Sequence, residues 1–383
     1  MKGLPPDFIV PANYRMIRWA REKKRWTIDE SSDALKIPVA TISALENGTA
    51  DLTYHDLLKL AEAYGVSSSA FLAPSEPPRL PDATERRSGH RGGPGSIVLR
   101  EALGEVYRMW LLYREILTLN SKPVPKADFG ARRDFDPEKA AQLVREHLGI
   151  NFATQLKWPY SGVALFNWRG AIEQIGIPVF QVALPTDEVR GVSYAASPYC
   201  IAISKNDAPN GRIFTLMHEL GHLYHKESGI CLPRPSEVDA AKVEGWCNRF
   251  AGAVLLPREE LAGNDSLTAL AKLNDTEAIE RLSLFSRKCS VSRLAIATRL
   301  RVLGYLGQDR YDVLAEELKT DPPGGFARGG KFTRAKATLN KHGRALVSEV
   351  FAGLKAGRIG KLEVSGYLGI RAKHLETLGI LVR

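Results

Sequence analysis

The chain has 383 residues, 44% of them hydrophobic and 25% charged, which is length for two or three folded domains and excludes a disordered or low-complexity protein as the default. No apolar run approaches the roughly 18 residues that a membrane helix needs, and the N-terminus lacks an apolar signal core, so the expectation is a cytoplasmic protein with no membrane span. The net charge of +10 favours an anionic partner, but it is uneven: residues 1–73 hold nine Lys/Arg against nine Asp/Glu, and residues 325–383 hold twelve against three.

Residues 14 to 72 carry short helical patterns broken at close intervals. Tyr14 to Lys24 has apolar residues at 16, 17, 19 and 20. Thr27 and Glu30 have the spacing of a capping box and open a second helix. Lys36-Ile-Pro breaks the pattern, Val39 to Glu46 forms a third helix ended by Asn47-Gly48, and Leu52 to Tyr64 forms a fourth. The segment resembles the Xre-type, phage-repressor-like DNA-binding domain in Thr27-Ile-Asp-Glu, Thr41-Ile-Ser-Ala-Leu-Glu-Asn-Gly and Leu57-Leu-Lys-Leu-Ala-Glu-Ala-Tyr-Gly-Val. That resemblance implies a five-helix domain over residues 1–73 that binds DNA with Val39 to Glu46 in the major groove. The face this helix would expose, Val39, Ala40, Thr41, Ser43, Ala44 and Asn47, holds no Arg, Lys or Gln for strong bidentate base contacts. Thr41, Ser43 and Asn47 are the candidate DNA contacts on it, with Arg15, Arg18 and Lys24 for the phosphate backbone. A protein-docking role is the alternative.

Residues 74–97 are rich in Pro and Gly and read as a linker. Val98 to Leu119 then predicts a long helix with apolar residues at 99, 103, 106, 110, 113 and 117, a seam for a neighbouring helix in the same chain or in a homodimer. Helices are expected at Pro137 to Leu148 and Val163 to Gln174, followed by strands at Ile177 to Val182, Val192 to Ala195 and Tyr199 to Ser204. Four cysteines, at 200, 231, 247 and 289, lack metal-site or disulfide-framework spacing and read as free thiols.

The stretch Phe214-Thr-Leu-Met-His218-Glu219-Leu-Gly-His222-Leu-Tyr-His225 carries the chemistry. On a helix His218 and His222 stand on one face, where both imidazoles can grip one metal ion, and Glu219 lies a quarter turn away, placed as a general base. A tetrahedral catalytic zinc wants a third protein ligand. His225 lies too far along the axis to serve. The segment from Ser236 to Pro257 predicts a helix with Glu244 and Asn248 on one face, which makes Glu244 the third ligand, with Glu237 and Asp239 as rivals.

The runs Ile177-Pro-Val-Phe, Gly191-Val-Ser-Tyr, Phe214 to His225 and Glu244 to Pro257 resemble the ImmA/IrrE family of metallopeptidases over roughly residues 135 to 305. The resemblance implies Zn2+ held by His218, His222 and Glu244, with Glu219 as the catalytic residue. Cys247 departs from the usual alanine, and Gly245-Trp246 from usual polar residues. Tyr194, Tyr199, Tyr224 and His225 are candidate oxyanion donors. One of the three strands, lying at a sheet edge, is expected to hold an extended substrate.

After Leu306, residues 307–332 read as a second linker and residues 333–383 as a separate basic domain. Its helices fall near Leu339 to Ala356, Ile359 to Leu368 and Arg371 to Leu378. The outline of another helix-turn-helix there, carrying Lys361, Arg371, Lys373 and His374, suits nucleic acid or an acidic protein surface. The fold expected is α+β and mostly helical: helix-turn-helix domain, zincin-like peptidase domain over 98–306 with a small sheet, and C-terminal helical domain. The expected function is a zinc-dependent regulatory endopeptidase acting on a specific protein substrate. The alternative is an antitoxin and autorepressor that holds a toxin without obligatory proteolysis.

Overall fold

A computed structural model describes residues 9–10, 12–24, 26–66, 71, 97–129, 134, 136–186, 189–225, 229–231, 242–320 and 333–382. Among them, residues 9–71 and 97–107 form one compact unit and residues 108–382 a second. No described helix is long and apolar enough to cross a membrane.

The first unit runs β1 (Ile9–Val10), α1 (Tyr14–Lys23), α2 (Ile28–Leu35), α3 (Val39–Asn47), β2 (Leu52–Thr53), α4 (Tyr54–Tyr64) and the opening turns of α5 (Ile97–Leu119). Thr27 and Glu30 form the predicted capping box, and the stops fall where Lys36 and Gly48 turn left-handed. Ile17, Leu35, Ile42, Leu45, Leu57, Leu60 and Tyr64 make the core. Four helices lie within the described residues 9–66, where five are expected within residues 1–73; the start of α5, expected to open the peptidase domain, is tied to this unit by a Lys24–Glu101 ion pair at 3.5 Å. Arg21 grips buried Glu46 through Nε and Nη2, at 2.6 and 2.8 Å, joining α1 to α3. The sequence reading missed the antiparallel pairing of Ile9 with Thr53 and Val10 with Leu52, because strands of two residues leave no periodicity to find.

The second unit continues α5 and adds α6 (Pro137–Leu148), α7 (Phe152–Leu156), α8 (Ser161–Gln174), β3 (Val179–Val182), β4 (Gly191–Tyr194), β5 (Cys200–Ser204), α9 (Pro209–Tyr224), β6 (Gly229–Cys231) and α10 (Lys242–Leu255). Then follow α11 (Arg258–Ala262), α12 (Asp265–Thr268), α13 (Asp275–Cys289), α14 (Arg293–Val302), α15 (Gln308–Thr320), α16 (Arg334–Lys355), α17 (Lys361–Leu368) and α18 (Leu375–Leu381). The sheet has the order β3-β5-β4-β6, with β3 parallel to β5 and the other pairs antiparallel. Helix α9 packs against β4, β5, β6, α8 and α10, so every residue from Thr215 to Tyr224 is buried.

The carbonyls at the end of α10 have no partner within their helix and would cost free energy if left bare. Three buried side chains supply donors: Arg145 Nη1 to Val254 O, Gln155 Nε2 to Leu255 O at 3.1 Å, and Arg299 Nε to Leu256 O at 3.0 Å. Burial pulls the Arg145 pKa down to about 10, and Arg299 is held in turn by both oxygens of Glu138. These contacts clamp α10 to α6, α7 and α14, leaving its other face to α9.

Two expectations are corrected, and one choice between alternatives is decided. The 307–332 linker begins with a helix, α15, because Leu314, Ala315 and Leu318 fall on one face and are buried; its many charged residues hid that stripe. Residues 321–332 and 74–96 lie outside the described residues. The seam of α5 packs within this chain, the first of its two expected readings, with Leu103, Val106, Trp110, Tyr113 and Leu117 all buried. The C-terminal helices are no separate domain: α16 packs on β3 and α8, within the second unit. Asn120 Nδ2 donates to Glu349 O at 2.8 Å and Lys122 Nζ to Glu349 Oε1 at 2.7 Å.

Helix α16 is broken at Gly343, whose φ is 76°. A Cβ there would lie 2.3 Å from Glu173 Oε1 and 2.6 Å from Val179 O. Glu173, on α8, accepts the Arg344 N–H at 3.1 Å, capping the second half of α16, and burial pushes its pKa above the ordinary carboxylate range. Gly343→Ala should destabilise the protein by about 2–4 kcal/mol, combining left-handed strain with steric overlap. Gly304→Ala, where φ is 81° and nothing lies within 4 Å, should cost only about 1–2 kcal/mol. Urea unfolding midpoints of the two variants check the difference.

Candidate metal centre

His218 and His222 sit one turn apart on α9, and Glu244 reaches them from the first turn of α10. His218 Nε2 lies 3.2 Å from Glu244 Oε2, His222 Nε2 lies 3.2 Å from Glu244 Oε1, and the two Nε2 atoms are 3.2 Å apart. Ligands on a tetrahedral metal at about 2.0–2.1 Å stand roughly 3.3 Å from one another, so these donors fit one ion. Among the described residues they form a group of three ligand atoms all within 4.8 Å of one another. Both histidines are buried, while 25% of the Glu244 side chain stays exposed, giving the group an open side.

His222 and Glu244 hold each other in their charged forms. Burial would raise the Glu244 pKa, yet hydrogen bonds from His218 and His222 hold it well below the carboxylate range. Burial would lower the His222 pKa, yet contacts with Cys247 and Glu244 lift it to about 11.

Neighbours orient the donors. His218 Nδ1 lies 3.0 Å from Asn248 Oδ1, one turn beyond Glu244 on α10; a donor N–H at Nδ1 leaves Nε2 as the free lone pair. The approach of the two helices depends on Gly221, where a Cβ would come 3.1 Å from Cys247 Sγ and 3.2 Å from Phe250 Cδ1. Glu219 is fully buried: its Oε2 accepts the Ser193 hydroxyl at 2.6 Å, and its Oε1 is buried with no hydrogen-bond partner. Burial pushes its pKa above the ordinary range, against the pull of His222 and His218.

The other predicted residues separate. His225 caps the end of α9 and packs edge-on to Trp246 at 4.3 Å, outside the ligand group. The Tyr224 hydroxyl accepts the Asp134 N–H at 2.9 Å, and its ring stacks on Trp246. The unusual Trp246 is thereby explained, since it also stacks on Phe250 at 5.0 Å. Tyr194 is buried and Tyr199 partly so. Glu237, Asp239 and the Ser236 cap lie outside the described residues. The predicted strands β4 and β5 are interior and β3 carries α16 along it, so the edge beside α9 is β6, which the sequence reading did not find. Sequence reasoning also missed the role of Ser193; strand alternation tells which face a residue is on, not which carboxylate it meets.

On α3, Val39, Ala40, Thr41 and Asn47 are exposed and Ser43 and Ala44 half-buried. Arg18 Nη2 donates to Asn47 Oδ1 at 2.6 Å, so two of the predicted DNA contacts engage each other. Lys24 lies over the Trp26 ring, 4.6 Å from its centroid, and the Arg15 guanidinium lies 5.9 Å from the Tyr14 centroid.

A buried helix presenting two histidines to a glutamate on the next helix, beside a small mixed sheet, defines a metallopeptidase-like domain. Residues 172–301 match the family described as the IrrE N-terminal-like domain, and residues 17–71 match the helix-turn-helix family. The chain thus carries an IrrE N-terminal-like domain with a DNA-binding helix-turn-helix domain ahead of it. No curated protein and no solved structure matches it.

Asn248→Ala should weaken divalent-metal binding at this group about 10- to 100-fold, the usual effect of removing a ligand's hydrogen-bond partner. Glu244→Ala, which removes a candidate ligand, should weaken it further. Competition against a chromophoric chelator measures both.

Proposed function

We propose that the chain is a zinc-dependent regulatory endopeptidase that controls transcription by acting on one protein partner while its N-terminal domain holds DNA. The observation that carries the reading is the convergence of His218, His222 and Glu244 at 3.2 Å beside a buried Glu219 with one unpartnered oxygen. Zinc held by those three residues would supply Lewis acidity, lowering the pKa of a water toward 7 and polarising a peptide carbonyl.

The chain's own groups do the rest. Glu219 takes a proton at Oε1 and returns it to the leaving amine, a task suited to a carboxylate whose burial makes it a stronger base than an exposed one. Asn248 keeps the His218 ring in the tautomer that faces the centre. The exposed quarter of Glu244 marks the side from which a peptide enters. Strand β6, at the sheet edge next to α9, suits an extended segment.

Glu219→Gln tests the reading. Zinc affinity should stay within about threefold, since the residue is no ligand, and hydrolysis of the partner should fall at least about 100-fold. A variant that still performs its regulatory role in the cell would sink the peptidase and leave a binding module of the toxin-holding kind.

For the N-terminal domain, Arg15→Ala and Arg18→Ala should each weaken binding to all sequences alike and reduce the slope of log affinity against log salt by about 1. Thr41→Ala and Ser43→Ala should alter sequence preference with the slope unchanged. Fluorescence anisotropy across a salt series separates the two classes.

A further inference from the structure

We propose that Ser193 is a positioning residue that aims the Glu219 carboxylate; the proposal rests on the hydrolytic reading above. Glu219 has two oxygens with different surroundings. Oε2 accepts the Ser193 hydroxyl at 2.6 Å, the short length of a hydroxyl bonded to a charged acceptor, and Oε1 is buried without a partner. A serine hydroxyl has one proton to give, so donating it to Oε2 fixes the carboxylate about its last torsion. The bare oxygen is the one left for a reacting proton.

The serine is itself immobile. It is fully buried on β4, an interior strand, where it pairs with Ile201 of β5 on one side and Gly229 of β6 on the other. Two residues earlier on the same face, Gly191 lets β4 lie against α9: a Cβ there would come 2.4 Å from Thr215 Cγ2 and 3.0 Å from Glu219 Oε1. Glycine at 191 and serine at 193 therefore work together, the first setting the approach and the second using it. The hydroxyl does not titrate in the accessible pH range, so it donates whether or not the histidines carry protons.

The experiment compares the unaltered chain with Ser193→Ala, Ser193→Thr and Glu219→Gln, each as the full-length protein. Zinc affinity and thermal midpoint report that the site and fold persist. The visible spectrum of the cobalt-substituted protein reports the surroundings of the ion. Initial rates on fluorescein-labelled casein report turnover. Ser193→Ala should bind zinc within about threefold of the unaltered chain and shift the cobalt spectrum toward that of Glu219→Gln. It should lower kcat about 10- to 100-fold with KM within about twofold, and Ser193→Thr, which keeps the hydroxyl, should restore both readouts. A Ser193→Ala protein with lowered thermal midpoint but the original cobalt spectrum and kcat would overturn the proposal, leaving the serine a merely structural partner of a buried carboxylate. If Glu219→Gln also left the spectrum untouched, Glu219 would not act beside the ion, and the hydrolytic reading would fall together with its consequence. Where casein is not cleaved by the unaltered chain, the cobalt comparison decides alone.

Discussion

The site depends on how closely α10 approaches α9. Two of the candidate ligands come from one helix and the third from the other, so the spacing of 3.2 Å between Glu244 and each histidine depends on the helix separation. That separation is set at Gly221, the small residue between the two histidine turns, against which Cys247 and Phe250 pack. A side chain at that point would push α10 outward, and a shift of about 1 Å in reacting groups is enough to cost roughly 100-fold in rate. The family-atypical Cys247 fits this constraint because its sulfur fills the space beside Gly221 and contacts His222.

Holding two helices so close while burying polar groups requires satisfaction elsewhere. The far end of α10 is where it is found: Arg145, Gln155 and Arg299 take up the terminal carbonyls, and Glu138 neutralises Arg299. These are side chains from three separate helices, so the position of Glu244 is referred back to α6, α7 and α14. On the opposite side of α9, β4 presses in at Gly191 and presents Ser193. Helix α9 is thus gripped from both faces, and one oxygen of Glu219 is left buried without a hydrogen-bond partner.

Local periodicity made much of this legible. His218 and His222 at a spacing of four must share a helical face, and Glu244 with Asn248 repeats that spacing on the next helix. The order of helix starts and stops in the first unit followed from Thr27, Lys36 and Gly48, whose conformational roles are short-range. What stayed hidden was long-range. Ser193 gives no sign that it faces Glu219, since that contact spans 26 residues. Nothing in the pattern of α16 shows that Glu173 caps its second half, a contact spanning 171 residues. Helix α15 was taken for linker because its buried stripe of Leu314, Ala315 and Leu318 is narrow and set among Asp, Glu and Arg.

The basic surplus of the C-terminal region looks different once α16 is seen to be part of the second unit. Several of its cations hold the structure together: Arg358 Nη1 donates to Asn120 O at 3.1 Å, and Arg344 Nη2 to Leu381 O at 3.2 Å. Arg344 also lies over the Phe166 ring on α8. A charge that caps a carbonyl or rests on an aromatic face within its own fold is already partly desolvated, and is poorly placed to gain from a phosphate. Lys361, Arg371 and Lys373, by contrast, are exposed. The charge imbalance therefore measures two things at once, the binding of α16 to the peptidase core and a smaller solvent-facing basic surface on α17 and the turn before α18. An acidic partner that met that surface would meet the metallopeptidase-like unit itself rather than a tethered appendage.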